Sequence, residues 1–431
     1  MPFRAPPGRL RREPSRPPAR GNALSTTRTR PAPRAAGRPF GFAGAEFWRL
    51  WYAGLAVFTV RWGENLACAV FVYQRTHSPF LVSMMTMLRL LPMGLFGAFL
   101  GAWAERFERR AALIAMILAM AASSAVLAAL AFAGRLEIWE LAVASFINGI
   151  GWAADNPVRR VAMGEIVGSE HMGPAMSIDV MANNGSRMLG PAIGGALLAA
   201  AGIGGVFSLS VALYASALVA VLPLAYRNAH APRLGVSVLA GIAEGLRLVR
   251  RDRRLIGVLV VTVIFNIFAW PFTSMVPVIA QGNLHLGPGA TGVLSSMDGA
   301  GALIGAIVLA LGIRRRHYAA AYMGGILSYT ALLIGFALMP NAWAAGAALL
   351  ATGIGGAGFS VMQATLVYIL APPEMRSRLL GVLSVCIGLG PIGFVHIGLL
   401  ANWIGARGAT VATGIEGLVA LALTWRWWRE I

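Results

Sequence analysis

The chain has 431 residues, 57% of them hydrophobic and 12% charged, where a soluble globular domain carries about 25% charged residues; its mean hydropathy is +0.68. All 36 basic residues are arginine, and against 17 acids they give a net charge of +19. They gather in tails and in short turns between apolar runs, which excludes a soluble nucleic-acid-binding domain and fits the positive-inside bias of membrane proteins.

Residues 1–39 are rich in Arg and Pro, with Glu13 as the one acid, and hold too few apolar residues to bury a core. They lack the apolar stretch and small-residue cleavage site of a signal peptide, and their prolines forbid the amphipathic helix of a transit peptide. The expectation is a disordered cytoplasmic tail over 1–45. A lipid-surface anchor and a functional start near Phe47 are the other readings.

From Glu46 onward the sequence reads as twelve apolar spans, near 47–72, 79–103, 110–133, 138–160, 175–201, 204–226, 255–281, 289–313, 317–339, 341–370, 378–402 and 405–427. About 20 apolar residues cross a bilayer as helix. In lipid every backbone polar group must find its partner within the span, so the prediction is an all-α membrane protein. Small residues at close spacing, as in the run from Gly190 to Gly202, let helix backbones approach. Cys68 and Cys386 both lie in apolar runs and offer no disulfide framework.

Placing both termini in the cytoplasm puts Arg106, Arg109, Arg110, Arg159, Arg160, the arginines between 247 and 254, Arg314, Arg315, Arg316, Arg376, Arg378, Arg426 and Arg429 inside. The outer side then holds only Arg75, Arg135 and Arg407, a one-sided bias that sets the topology. The longest internal loop, 227–254, divides the spans six and six. Within it Val238, Ile242, Leu246 and Val249 recur at a helical period among arginines, as in an amphipathic helix on the cytoplasmic interface.

The halves 46–226 and 255–431 echo each other. Gly190-Pro191-Ala192-Ile193-Gly194-Gly195 in span 5 answers Gly390-Pro391-Ile392-Gly393 in span 11, and an arginine-rich turn follows both span 2 and span 8. Two six-helix repeats flanking a midplane site form a known transporter plan.

An ionisable side chain within a span costs about 3 kcal/mol or more and faces a cavity or a partner. Glu64 in span 1 has Arg61 one turn earlier on the same face. Either the two neutralise each other, or the carboxylate faces a central cavity where it can take up a proton, with Asn65 beside it as a hydrogen-bonding group. Arg89 lies near the middle of span 2, too deep to reach water through lipid, and is expected on the cavity against Glu64 or an anionic ligand group. Arg187 either snorkels outward or joins it. Asn148, Asn266, Asp298 and Gln363 complete the cavity candidates, with a kink at Trp270-Pro271. His396 reads as a satisfied core group, and Glu416 lies on the last span.

The run Gly101-Ala102-Trp103-Ala104-Glu105-Arg106-Phe107-Glu108-Arg109-Arg110, followed by Leu113, resembles the signature between spans 2 and 3 of the major facilitator superfamily. Trp103, Glu105 and Glu108 stand where that signature has Leu, Asp and Gly. Phe47, Gly63-Glu64, Leu91-Pro92, Asn156-Pro157 with Arg159, and Arg187 with Gly190-Pro191 extend the resemblance over about 46–428. The variant is similar to the branch of the enterobactin exporter and the macrolide efflux proteins. The resemblance implies two pseudo-symmetric six-helix bundles and alternating-access export of a small amphipathic molecule (siderophore, drug or other metabolite), coupled to protons. It further implies a monomer, multi-pass in a bacterial inner membrane, with Glu64 carrying the proton.

Gly190, Pro191, Gly194 and Gly195 resemble the antiporter motif of span 5, though such small-residue runs also serve plain packing. The drug-antiporter motif of span 4 is incomplete, because alignment on Asn148-Gly149 puts Ser145 where its arginine should be. Gly101, Glu105, Arg106, Arg109, Arg110, Asp155 and Arg159 resemble the family's cytoplasmic lock, with Asp179 nearby. There the motif acid Glu105 caps a helix N-terminus and Arg109 pairs the span-4 acid Asp155. A solvated turn obeying the positive-inside rule is the alternative.

No zinc-protease HExxH, CxxC pair, nucleophile elbow or P-loop is present, so the chain reads as a non-enzyme without cofactor or metal, driven by a gradient. Its expected partners are a small-molecule substrate, a coupling proton and the bilayer, with no nucleic acid. An uncoupled facilitator or importer, or a non-transporting sensor or scaffold that kept the fold, are the rival readings.

Overall fold

A computed structural model describes residues 44–431, except 105–107, 169, 225–237, 251 and 373–374, and contains helices and turns with no strand among them. The helices are α1 (Ala45–Thr76), α2 (Pro79–Ala104), α3 (Arg109–Phe132), α4 (Ile138–Val167), α5 (Met172–Val221), α6 (Val238–Val249) and α7 (Arg253–Ile264). They continue as α8 (Met275–Gly282), α9 (Pro288–Gly312), α10 (Tyr318–Leu338), α11 (Ala342–Leu370), α12 (Arg376–Ile387), α13 (Gly390–Leu423) and the short α14 (Trp425–Trp428).

Among the described residues, nine helical stretches are long and apolar enough to cross a membrane. Two of them must cross twice. The 50 residues of α5 would run about 75 Å as one rod, against about 30 Å of hydrocarbon. The rod breaks at Gly202 (φ 67°, ψ −174°), and α13 breaks in the same way at Gly405 (φ 77°, ψ 162°). Glycine adopts this backbone without a Cβ clash. Helix α4 carries five ionisable side chains, Glu140, Asp155, Arg159, Arg160 and Glu165, and packs into the same bundle against α2 and α3. With α4 and both parts of α5 and α13, the bundle accommodates the twelve expected passes.

Between α7 and α8 the chain stays helical but changes pitch. A π turn over Phe265–Ala269 leads into a 3-10 turn over Trp270–Ser274. Pro271 is the cause, since its ring removes one donor and crowds the preceding turn.

The exterior is apolar: Trp343, Trp403, Leu311 and Leu423 are all largely exposed, as lipid-facing side chains should be. The predicted loop helix exists as α6, but its apolar stripe is only partly used. Val249 is buried while Leu246 is 46% exposed. Helix α6 docks on α12 through Gly245, where a Cβ would come within 2.8 Å of Val382, and through an ion pair of Glu244 with Arg378.

Bare glycine backbone lets α5 sit between α1 and α9. A Cβ on Gly190 would lie 3.1 Å from the Gly63 amide of α1, and one on Gly195 would lie 2.6 Å from the Pro288 carbonyl of α9. Further contacts join the N-terminal and C-terminal halves of the chain at the same end of the bundle. Tyr73 of α1 meets Gly282 of α8, and the Ser83 hydroxyl of α2 donates to the Phe394 carbonyl of α13.

A charged cavity at the seam

Where α1, α2, α4 and α5 face the α7–α9 stretch, they enclose a cavity of about 890 Å³, counting its open mouth. Arg61, Asn65, Arg89 and Arg187 line it from the first half of the chain, and Ser295 and Asp298 from the second. Its apolar wall is strongly aromatic, with Trp62, Trp152, Trp270 and Phe394.

Glu64 lies behind this wall, only 2% exposed. The Ser124 hydroxyl of α3 donates to its Oε1 at 2.7 Å, and the Asn148 amide of α4 donates to its Oε2 at 3.3 Å. Its charge is met by Arg89, whose Nη2 stands 3.6 Å from Oε2. Arg89 touches both the carboxylate and the cavity, so charge changes at Glu64 are felt at the wall. The neutralising pair is therefore Glu64–Arg89, and the intrahelical pairing of Glu64 with Arg61 does not form. Asn148 supports the carboxylate from α4.

Arg61 turns away toward α4. Its guanidinium lies 4.6 Å from the centre of the Trp152 ring and 5.1 Å from that of Phe58. It makes no ion pair among the described residues, and its Nη2 is buried without a hydrogen-bond partner. A desolvated cation–π contact is worth about 2 kcal/mol, whereas burying an ion costs several. The aromatic faces thus offset only part of the cost.

Arg187 lines the cavity and pairs Asp298 of α9, so it does not snorkel outward; the nearby acid outcompetes distant water. This is the one ion pair among the described residues that joins the two halves of the chain. Asp298 keeps its Oδ1 without a partner.

The lock region is built from α1, α3, α4 and α5. Arg159, 1% exposed, pairs Asp155 at 3.3 Å and also Asp179 of α5. Arg160 reaches Asp179 at 3.3 Å. The Arg159 guanidinium fills the space left by Gly54 of α1, where a Cβ would sit 2.6 Å from Nη1. Arg109 pairs Glu165 of α4, and the expected Arg109–Asp155 pair is replaced because Arg159 holds Asp155 from one turn away. Arg110 donates to the Leu222 carbonyl at the end of α5. Glu105 and Arg106 lie outside the described residues; Gly101 falls in the last turns of α2, whose side chains are not described.

Three predicted cavity residues do not line it: Asn148 is held on Glu64 behind the wall, and Asn266 and Gln363 belong elsewhere. Asn266 donates to the Thr262 carbonyl at 2.8 Å, and Gln363 donates to the Thr262 hydroxyl at 3.0 Å. With Tyr322, which donates to the Val258 carbonyl, they form a neutral polar knot apart from the cavity lining. His396 is not solitary either: its Nε2 lies 2.6 Å from Glu416 Oε2. Of the glycine motif, Pro191 lines the cavity while Gly190, Gly194 and Gly195 make the helix contacts around it. Trp62, Trp152, Ser124 and Glu165 were not anticipated. Only Ser124 carried a signal, as a hydroxyl within an apolar span.

Comparison with known proteins agrees with this architecture. A family model described as "Transmembrane secretion effector" matches residues 39–428. The chain is 24% identical over 375 residues to macrolide efflux protein A of Streptococcus pyogenes, covering 84% of this chain and 91% of that protein. It is 26% identical over 365 residues to an uncharacterised MFS-type transporter, YfiS, of Bacillus subtilis, covering 81% and 86%. Among solved structures it matches a bacterial homologue of the human lysosomal transporter Spinster, inward-facing and unoccupied, with a TM-score of 0.69 at 14% identity over 91% of this chain and 98% of that one. The nucleoside transporter NupG matches with a TM-score of 0.71 at 12% identity, over 88% and 99%. At these identities the solved structures speak for the fold.

Proposed function

Because the chain belongs to the transmembrane secretion effector family of major facilitator transporters, we propose that it exports a small amphipathic molecule by alternating access, driven by proton entry at Glu64. The observation that carries this reading is the chain of contacts from Glu64 through Arg89 to the cavity. A proton on Glu64 removes the charge that holds Arg89, and the freed guanidinium changes the field inside the cavity. Proton uptake and substrate binding thereby act on the same arginine, which is what exchange requires.

Two further arrangements support rocking of the halves 46–226 and 255–431 about the cavity. The glycine contact of α5 with α9 and the Tyr73–Gly282 and Ser83–Phe394 contacts gather at one end. At the other end, the ion pairs among the described residues do not join the two halves: Arg159 with Asp155 and Asp179 and Arg109 with Glu165 stay in the first, and Arg378 pairs Glu244 of the connecting helix α6. With no ion pair among the described residues to break there, that end is the one the reading lets part, the backbone contact of Gly94 with Gly388 separating as it does. The reading also takes both termini to lie on the cytoplasmic side of a bacterial inner membrane and the protein to act as a monomer. The names of the macrolide efflux relatives favour outward transport of a drug-like solute.

The test is uptake into inverted membrane vesicles of radiolabelled erythromycin and of dansylglycine, with and without a pH gradient. Wild-type protein should accumulate at least one probe with the gradient, and Glu64→Gln should lose the gradient-driven part. Undiminished gradient-driven uptake by Glu64→Gln would overturn the coupling.

A further inference from the structure

Resting on that reading, we infer that the cavity selects organic anions, and that Arg61 is the residue that binds the anionic group. The wall residues and their partners hold three arginines and two acids. Arg89 is matched by Glu64 and Arg187 by Asp298, which leaves Arg61. The other acids of this region are already committed, Asp155 to Arg159 and Asp179 to Arg159 and Arg160.

Arg61 is 7% exposed, lines the cavity, and has a buried nitrogen with no partner. A guanidinium in that state lacks the planar two-oxygen acceptor that its fork geometry fits, which a carboxylate, sulfonate or phosphate supplies. The Trp152 and Phe58 rings, 4.6 and 5.1 Å from the guanidinium carbon, supply no hydrogen-bond acceptor, so Nη2 is left for one that a ligand brings. Trp62, Trp270 and Phe394 around it suit a flat apolar body attached to that anion. The ligand class is an aromatic or otherwise apolar molecule that carries an anionic group for Arg61.

An anionic lipid headgroup offers the same chemistry as a soluble organic anion. Equilibrium binding to purified protein in phosphatidylcholine nanodiscs, without any gradient, tests the site separately from transport. The probes are dansylglycine, dansylglycinamide and dansyl-ethylenediamine, one body with an anionic, neutral or cationic head, read by energy transfer from the cavity tryptophans. Wild-type protein should bind the anion about tenfold more tightly than the amide, the effect of one charge-assisted hydrogen-bonded pair. Arg61→Gln should bring that ratio to about one, and Arg61→Lys, which keeps the charge without the fork, should keep only part of it. Equal binding of all three heads by wild-type protein, which needs no variant to fold, overturns the inference, as does a ratio unchanged in Arg61→Gln. Displacement of dansylglycine by added phosphatidylglycerol would assign the site to a headgroup, and no displacement to a soluble anion; both keep the site. Anion preference without flux in vesicles would sink export and leave this site standing, whereas flux without anion preference would do the reverse.

Discussion

Among the described residues of helices α1 to α5, six of the twelve buried polar side chains are ions: Glu64 with Arg89, Arg159 with Asp155 and Asp179, and Arg61 against aromatic rings. In the stretch from α7 to α11 the buried polar knot is neutral, with Asn266, Gln363 and Tyr322 gathered on Thr262 and Val258. The one deeply placed ion there, Asp298, is turned to the cavity and spoken for by Arg187 of the first half. Neutral hydrogen bonds contribute about 1 kcal/mol each and do not respond to protons near neutral pH. Ion pairs cost several kcal/mol to bury and respond to any change in their charge. On the proposed function, the first half would carry most of the charges that respond to protons and ligand, while both halves share the aromatic wall, Trp62 and Trp152 from the first and Trp270 and Phe394 from the second.

The comparison can be broken most easily at Arg159. Arg159→Ala leaves Asp155 without its partner and Asp179 with only half-exposed Arg160, so a loss of about 3–5 kcal/mol is expected. A thermal melt followed by size-exclusion chromatography in detergent would read it, and a melt like wild type would show that the cluster ties nothing together. At the seam, Gly195→Val forces a branched side chain against the Pro288 carbonyl and should cost about 1–3 kcal/mol. If α5 and α9 form the contact that closes one end, the same change should speed thiol labelling of Thr86→Cys in a background lacking Cys68 and Cys386. Unaltered labelling would separate the seam from access.

In the neutral knot, Gln363→Leu removes one donor from Thr262 and should cost only about 1 kcal/mol, with gradient dependence of transport preserved. Loss of that dependence would mean the second half senses charge as well. The smallest effect belongs to Glu244→Ala. Its pair with Arg378 is half-exposed on both sides, and pairs of that kind contribute about 0.2–1 kcal/mol.

Hydropathy made the helical passes legible, because a lipid solvent imposes the same apolar length on every span. It also marked the two long helices as double passes, the breaks falling at Gly202 and Gly405. Which way a polar side chain points round its helix was much less legible. Gln363 and Asn65 look alike in sequence, yet one is tied to Thr262 and the other lines the cavity. Partner choice was the other gap. Arg61 and Glu64 share a helical face, but Ser124, Asn148 and Arg89 converge on Glu64 from three other helices, and Trp152 draws Arg61 aside. Such convergence depends on tertiary packing and leaves no local spacing to read. His396 and Glu416, 20 residues apart, were weighed separately for the same reason.

The reversals at Gly202 and Gly405 each occupy a single residue. At those corners the molecule presents helix tips and no pliable epitope, so an antibody fragment or engineered binder raised for structural work would find little to grip there. The arginine-bearing connections of the opposite face would be the ones it recognises.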